Sequence, residues 1–355
     1  GPVGARLPVM QGTSFAFVPI MISIVKTGGI AALFGAVVVA GIFHALLGTI
    51  IGRIRDWFPP LITGMIIMAI GLALLPVGIK YAAGGAADFQ INNPACGDLS
   101  RWGLALVVII VALGFKFFTK GLASSAAVLL GLVAGYVVGI FTGAVNFDAV
   151  SKAAWFALPQ PFKYGIEFQA FAIFGMCLIS IISAIETVGD ISAIAKGGAN
   201  REATDKELAG GTYADGLGSA VAGIFGGLPN TSFSQNVGLI SMTGVMSRSV
   251  VTLAALFLIA CGLIPKIGAV VAAMPISVLG GGVILMFGMV VSAGINMLSE
   301  VNWNRRNMII LAISLSVGLG LQAVPKSMQH LPDGLEMLMV SGLLPIAVLA
   351  VVLNL

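Results

Sequence analysis

The sequence predicts an all-α polytopic membrane protein assembled from two related, inverted halves. Three observations predict it. Of 355 residues, 58% are hydrophobic and 9% charged, where a soluble domain carries about 25% charged residues. Apolar runs near twenty residues recur from end to end, long enough to cross a hydrocarbon core of about 30 Å as helices. Two pairs of short motifs also recur at nearly one spacing.

Broken at Gly, Pro and charge, the chain gives twelve candidate crossings. They lie near 13–26, 30–52, 59–79, 102–118, 123–144, 169–195, 211–227, 231–245, 249–265, 270–298, 307–322 and 338–355. The stretches at 13–26, 211–227 and 231–245 are short or interrupted by Gly and Pro. Alternating sides along the chain puts the basic clusters "GRIRDW", "KGGANREATDKE" and "NWNRRN" on one face. The excess of Lys and Arg in loops marks that face as cytoplasmic.

Several functions are excluded at this level. The net charge of +4 comes from scattered Lys and Arg, with no basic stripe interleaved with aromatics, so nucleic acid is not a partner. The opening "GPVGARLPVM" has neither the basic start nor the apolar stretch of a signal peptide. Cys177 and Cys261 lie in apolar runs and Cys96 sits alone in a polar loop, which suits neither a disulfide framework nor a metal site. With His44 and His330 as the only histidines, an intramembrane enzyme would lack its nucleophile–base pair or metal ligands. No cofactor is implied. His44, inside an apolar run, reads as a packed or interfacial residue, Glu167 as a solvated loop residue, and the fifteen methionines as filler between helices.

The repeat is read from two matches. "QGTSFAFVP" (11–19) and "PNTSFSQNVG" (229–238) place Thr-Ser-Phe 218 residues apart, counted from Thr13 to Thr231. "FPPLITGMIIMAIGL" (58–72) resembles "MPISVLGGGVILMFGM" (from 274), with Pro60 and Pro275 separated by 215. The paired segments start from opposite faces, so the repeat is inverted, as in many secondary transporters. The second half then begins near residue 168. Its counterpart would start about fifty residues before Gly1, so roughly two further spans are expected ahead of this chain.

Backbone within lipid must satisfy its own hydrogen bonds, and non-helical stretches persist only where protein or a cavity shields them. "GTSF" and "NTSF", preceded by Gly or Pro and rich in Ser, Thr and Phe, predict two short antiparallel strands at mid-membrane. Each would run into a half-helix whose N-terminal N–H groups and positive dipole end point to the centre. A polar ligand with carbonyl oxygens fits there. For Asn230, Thr231, Ser232 and Asn236, capping a broken helix and tying it to neighbours stands beside ligand contact as a reading. The amide of Gln235 offers paired donor and acceptor edges to a ligand, or a bridge between helices.

"AFAIFGMCLISIISAIETVGDISAIA" (170–195) carries Glu186 and Asp190 four residues apart, on one helix face. Asp215 heads the Gly-rich "ADGLGSAVAGIFGG". A charge within the bilayer costs at least about 2.5–3.5 kcal/mol, so such residues usually face a cavity and serve transport. Burial favours the neutral form of a carboxyl group, the property that a proton-coupled carrier needs of Glu186. Asp190, within a turn of the cytoplasmic end, could instead be solvated or paired, and Asp215 could cap its helix.

These residues resemble a known family. "QNVGLISMTGVMSR" (235–248) is similar to the signature of the nucleobase–ascorbate transporter family, [Q/E]-N-x-G-x-x-x-x-T-x-x-x-S-R. "AIETVGD" (184–190), "ADGLGS" (214–219) and "GTSFAF" (12–17) match its other marked stretches in order, over essentially the whole chain. The resemblance implies a nucleobase permease, usually a proton symporter. It also implies a fold of fourteen segments as two inverted repeats of seven, with about twelve present here. A core domain (1–52 and 168–268) would bind substrate, and a gate domain (53–150 and 270–355) would be static and form a homodimer. By the same resemblance Glu186 is the buried acid at the substrate, and Gln235 with Asn236 reads its amide edge. Phe15 and Phe233 are the aromatic contacts, with the Ser234 backbone N–H beside them. Asp190 and Asp215 support coupling. Gln rather than Glu at 235 resembles the xanthine and urate branch, and the absent first segment would normally add a polar motif near the site.

Overall fold

The computed structural model describes residues 2–54, 59–91 and 93–354; side chains at 54, 86, 90, 235, 238, 241, 242, 333, 334 and 337 also lie outside the description. Arg55, in the basic cluster "GRIRDW", therefore lies outside the described residues.

The chain opens on β1 (Gln11–Thr13), a 3-10 turn (Phe15–Phe17), α1 (Val18–Leu47) and α2 (Ile51–Ile54). Then come α3 (Pro60–Ala82), α4 (Ala86–Gln90), α5 (Leu99–Phe118), α6 (Leu122–Ser125), α7 (Ala127–Phe141) and α8 (Asp148–Lys152). The second half runs α9 (Ala170–Ala199), α10 (Asp205–Ile224), β2 (Asn230–Ser232), α11 (Ser234–Thr243) and α12 (Arg248–Gly262). It closes with α13 (Pro265–Ala272), α14 (Ile276–Leu298), α15 (Arg305–Ala323), a 3-10 turn (Pro325–Met328), α16 (Asp333–Val340) and α17 (Leu343–Asn354).

Each of the twelve apolar stretches contains helix, but 13–26 and 231–245 open on a strand and 123–144, 270–298 and 338–355 are each divided between two helices. Those at 13–26 and 30–52 are the two parts of α1, which breaks at Gly29 (φ 78, ψ −179). That backbone region is open essentially to glycine alone. In the second half the matching break is complete, because α11 stops at Gly244 in the left-handed region (φ 67, ψ 9) and α12 restarts at Arg248. Among the described residues six helices are long and apolar enough to cross a membrane, and α12 with α13, bent by 87°, makes a seventh. α12 buries no side chain, with Leu253 and Phe257 about two-thirds exposed, as a lipid-facing apolar helix requires.

By contact the chain forms two compact units, Gly1–Ala73 with Gln160–Val251 and Val290–Leu355, and Leu74–Pro159 with Thr252–Met289. In the first, β1 and β2 pair antiparallel, Gln11 opposite Ser232, Gly12 opposite Thr231 and Thr13 opposite Asn230. α1 and α10 meet backbone to backbone: a Cβ on Gly216 would fall 2.2 Å from Ala45 N, so only glycine permits the approach. α9 packs on α1, with Leu47 and Ile51 buried against Ala184, Val188 and Ile191. In the second unit α5, α7 and α14 share a small core of Leu104, Val108 and Val278.

Two expectations need correction in detail. The first strand covers Gln11–Thr13, not "GTSF", because the Ser14 hydroxyl accepts from Ala16 N (3.3 Å) and starts a 3-10 turn. Helix α10 begins at Asp205 rather than 211. Thr204 caps it, its hydroxyl accepting from Glu207 N while Glu207 accepts from Thr204 N. A bidentate bond from Arg201 holds the Glu207 carboxyl down at about 2. Asp215 is therefore eleven residues inside the capped end and does not cap the helix.

Candidate functional site

The polar centre of the first unit is built where β2 crosses α9 and α10. On α9, Ser180, Ser183, Thr187 and Asp190 follow at spacings of three and four, which puts them along one helix face. All four are buried. Polar groups in such surroundings must find partners, because an unpaired one costs about 1–3 kcal/mol.

Ser180 donates to the Met176 carbonyl (2.9 Å), Ser183 Oγ has no partner among the described residues, and strand β2 reaches Asp190 and Thr187. The Ser232 hydroxyl donates to Asp190 Oδ2 at 3.0 Å, and the Ser232 backbone N–H donates to Asp215 Oδ2 at 3.3 Å. The Thr187 hydroxyl donates to the same Asp215 oxygen and stands 3.5 Å from the Thr231 hydroxyl. One turn along α10, Ser219 donates to the Asp215 carbonyl (2.7 Å) and accepts from Asn230 N (2.8 Å). The expectation that Asp190 could be solvated is thus replaced. Asp190 is buried, because the returning strand folds over it, and it is bonded to that strand.

Glu186 is different. It is buried on α9, its Oε2 has no hydrogen-bond partner among the described residues, and no bond to its other oxygen is made by them either. The three acids therefore divide into two bonded to the strand and one, Glu186, with no bond from the described residues, although Asp215 Oδ1 also lacks a partner among them.

The remaining expected residues fall as follows. Phe15 opens the 3-10 turn after β1, and Phe233 follows β2; both are half-buried. The Phe233 ring lies over Gly12, where a Cβ would meet its Cζ at 2.4 Å. Ser234 opens α11, half-buried. Asn236 is buried and its Nδ2 donates to the Pro8 carbonyl at 2.7 Å, which ties α11 to the segment before β1. The side chain of Gln235 lies outside the described residues, although its backbone belongs to the first turn of α11. His44 is buried within α1, as expected of a packed histidine, and its Nε2 has no partner among the described residues.

Sequence reasoning missed Thr187 and Ser219. Both carried a signal: Thr187 is three residues before Asp190 and Ser219 four after Asp215, the spacings at which helix neighbours meet. Among the described residues no three His, Cys, Asp or Glu gather as metal ligands.

A multi-pass bundle with paired short strands, half-helices and buried acids defines a membrane carrier. The family model Xan_ur_permease, described as a permease family, matches residues 2–327. The xanthine permease of Bacillus subtilis (strain 168) is 38% identical over 355 residues, covering 99% of this chain and 79% of its own length. The uric acid transporter UacT of Escherichia coli (strain K12) is 39% identical over 357 residues, covering 99% and 73%. Among solved structures, the transmembrane domain of a cyanobacterium bicarbonate transporter, BicA, superposes with a TM-score of 0.61 at 15% identity, covering all of this chain and 87% of that one. That likeness shows a shared fold. The chain belongs to the Xan_ur_permease family, which fits the nucleobase–ascorbate resemblance, and is a multi-pass transport protein of the cell membrane rather than an enzyme.

Proposed function

We propose that this permease carries an oxidised purine, xanthine or urate, across the membrane by alternating access coupled to protons. Relatives named for xanthine and uric acid support the substrate class. The observation that carries the mechanism is the division among the buried acids. Asp190 and Asp215 each give one oxygen to β2 or Thr187, whereas Glu186 has no hydrogen bond from the described residues. A protonated carboxyl group donates through its O–H and still accepts a ring N–H through its C=O, so the proton can accompany the bound base and loading of the two is linked at one group.

In this reading the base lies between Phe15 and Phe233, with Glu186 and Gln235 on its edges and the first turn of α11, Ser234 and Asn236 included, below it. Aromatic faces bind a planar ring with little cost in side-chain entropy. The core (1–52 and 168–268) moves with the substrate, and the gate (53–150 and 270–355) stays fixed and pairs two copies.

The test is uptake of labelled xanthine in cells lacking their own purine permeases, with and without an uncoupler, against urate, hypoxanthine, guanine and uracil. Uncoupler-sensitive uptake displaced by oxidised purines is expected. Glu186→Gln should abolish accumulation against a gradient while the protein still reaches the membrane. If that variant concentrates xanthine with unchanged proton dependence, Glu186 does not couple. Uptake that fails to saturate would point to a passive facilitator, and preference for uracil to a pyrimidine carrier.

A further inference from the structure

The second unit contains a cavity of about 690 Å³ whose lining comes wholly from that unit. The volume suits a ligand of some size rather than a lone water. Its polar wall is Ser100, Arg101, Thr142 and Ser277, and its apolar wall includes Leu104 and Val138.

Two long helices begin at this cavity. Ser100 is the second residue of α5 and Ser277 the second of α14. First-turn N–H groups have no partner within their own helix and carry the positive end of its dipole. The Asp98 carbonyl accepts from Arg101 N and Trp102 N, and the Pro275 carbonyl from Val278 N and Leu279 N, so among the described residues the N–H groups left over are those of Leu99, Ser100, Ile276 and Ser277. Independently, Ser277 is 4% exposed, lines the cavity, and its hydroxyl has no hydrogen bond to any described residue. That hydroxyl opens to the cavity and can donate to a ligand acceptor there.

Arg101 sets the charge. Its Nη1 is bonded to Asp88, and that bond holds the Asp88 carboxyl below the usual carboxylate range. The pair is neutral overall, yet a guanidinium has five N–H donors and Asp88 does not use them all. Recognition here therefore rests on convergent donors rather than on net positive charge. A ligand rich in acceptor oxygens, with an apolar remainder against Leu104 and Val138, matches both walls. We propose that this cavity binds the phosphate-bearing head of a membrane phospholipid, held by Ser277, Ser100, Arg101 and the two helix N-termini. The same donors would accept inorganic phosphate, but the apolar wall and neutral ion pair favour the lipid. The expected orientation puts Arg101 and the cavity on the outward face.

Gly103 provides a clean test. It lines the cavity, and a Cβ built there meets no atom within 4 Å. Gly103→Leu therefore adds bulk to the cavity from a Cβ that meets no neighbour, and leucine is the better helix former. The purified, delipidated protein is titrated with phosphatidylglycerol, with diacylglycerol of the same chains, or with inorganic phosphate, and melting is followed. Phosphatidylglycerol at a hundredfold excess over Kd should raise Tm by roughly 5 °C. Gly103→Leu, melting like the wild type without lipid, should lose most of that shift, and Ser277→Ala part of it. A matching shift from phosphate alone, blocked by Gly103→Leu, supports the phosphoryl site with a free ion as its occupant. No shift in the wild type, an equal shift in Gly103→Leu, or an equal shift with diacylglycerol would overturn it.

Discussion

Thr13-Ser14-Phe15 and Thr231-Ser232-Phe233 are the same tripeptide 218 residues apart, and their strands pair with each other. Their side chains do different work. Thr13 is exposed, and the Ser14 hydroxyl stays within its own arm, accepting from Ala16 N to cap the 3-10 turn, while the Ser14 backbone N–H donates to the Pro229 carbonyl of the other arm at 2.9 Å. Thr231 and Ser232 are buried and reach out of their arm to Thr187, Asp190 and Asp215. The repeat thus supplies the frame of two paired strands leading into half-helices. What each arm packs against decides its chemistry: β2 lies across two helices that carry acids, and the same sequence in the first arm meets none among the residues described.

The largest expected consequence concerns Asp215. Asp215→Ala leaves the Thr187 hydroxyl and the Ser232 N–H stranded in a buried place, and two unsatisfied donors cost roughly 2–6 kcal/mol together. Melting of the purified protein should fall by several degrees, with transport lost as β2 loosens. A variant that melts within a degree of the wild type would show that the second arm is not held by this carboxylate, and the asymmetry between the arms would vanish.

A smaller, sharper comparison sets Ser232→Ala beside Ser14→Ala. The first strands Asp190 Oδ2, at about 1–3 kcal/mol. The second removes a cap, at about 1 kcal/mol. Transport should separate them further, because Ser232 braces an acid beside Glu186 whereas Ser14 shapes a turn. Equal losses in both stability and uptake would mean that the two arms share one role.

Legibility in the sequence followed the reach of the interactions. Local, periodic signals were readable: the apolar runs became helices, and the Thr-Ser-Phe pair located both strands. The capping of α10 was also written locally, in Thr204-x-x-Glu207, but Asp215 drew attention from it. Burial of Asp190 was not readable, since it depends on β2 returning over α9 from forty residues away. The Asn236 bond to the Pro8 carbonyl spans 228 residues and leaves no local trace. The short helices α4 and α8 lie where composition suggested only loops between spans.

The two breaks after the arms reverse the order of the arms' sensitivity. A Cβ at Gly29 or Gly244 would meet no atom within 4 Å, so crowding plays no part and backbone conformation alone sets the cost of substitution. Gly244 is left-handed, where alanine costs about 1–2 kcal/mol and asparagine less. Gly29, at φ 78 and ψ −179, lies in a region that alanine and asparagine both avoid, at about 1–3 kcal/mol. Gly244→Asn should therefore be nearly silent in a melt, and Gly29→Asn should not. The reason is continuity: α1 carries its break inside one helix, whereas α11 ends and α12 starts afresh after four residues that share the turn. If Gly29→Asn is as silent as Gly244→Asn, α1 can straighten at Gly29, and the first half-helix is not held apart as the second is.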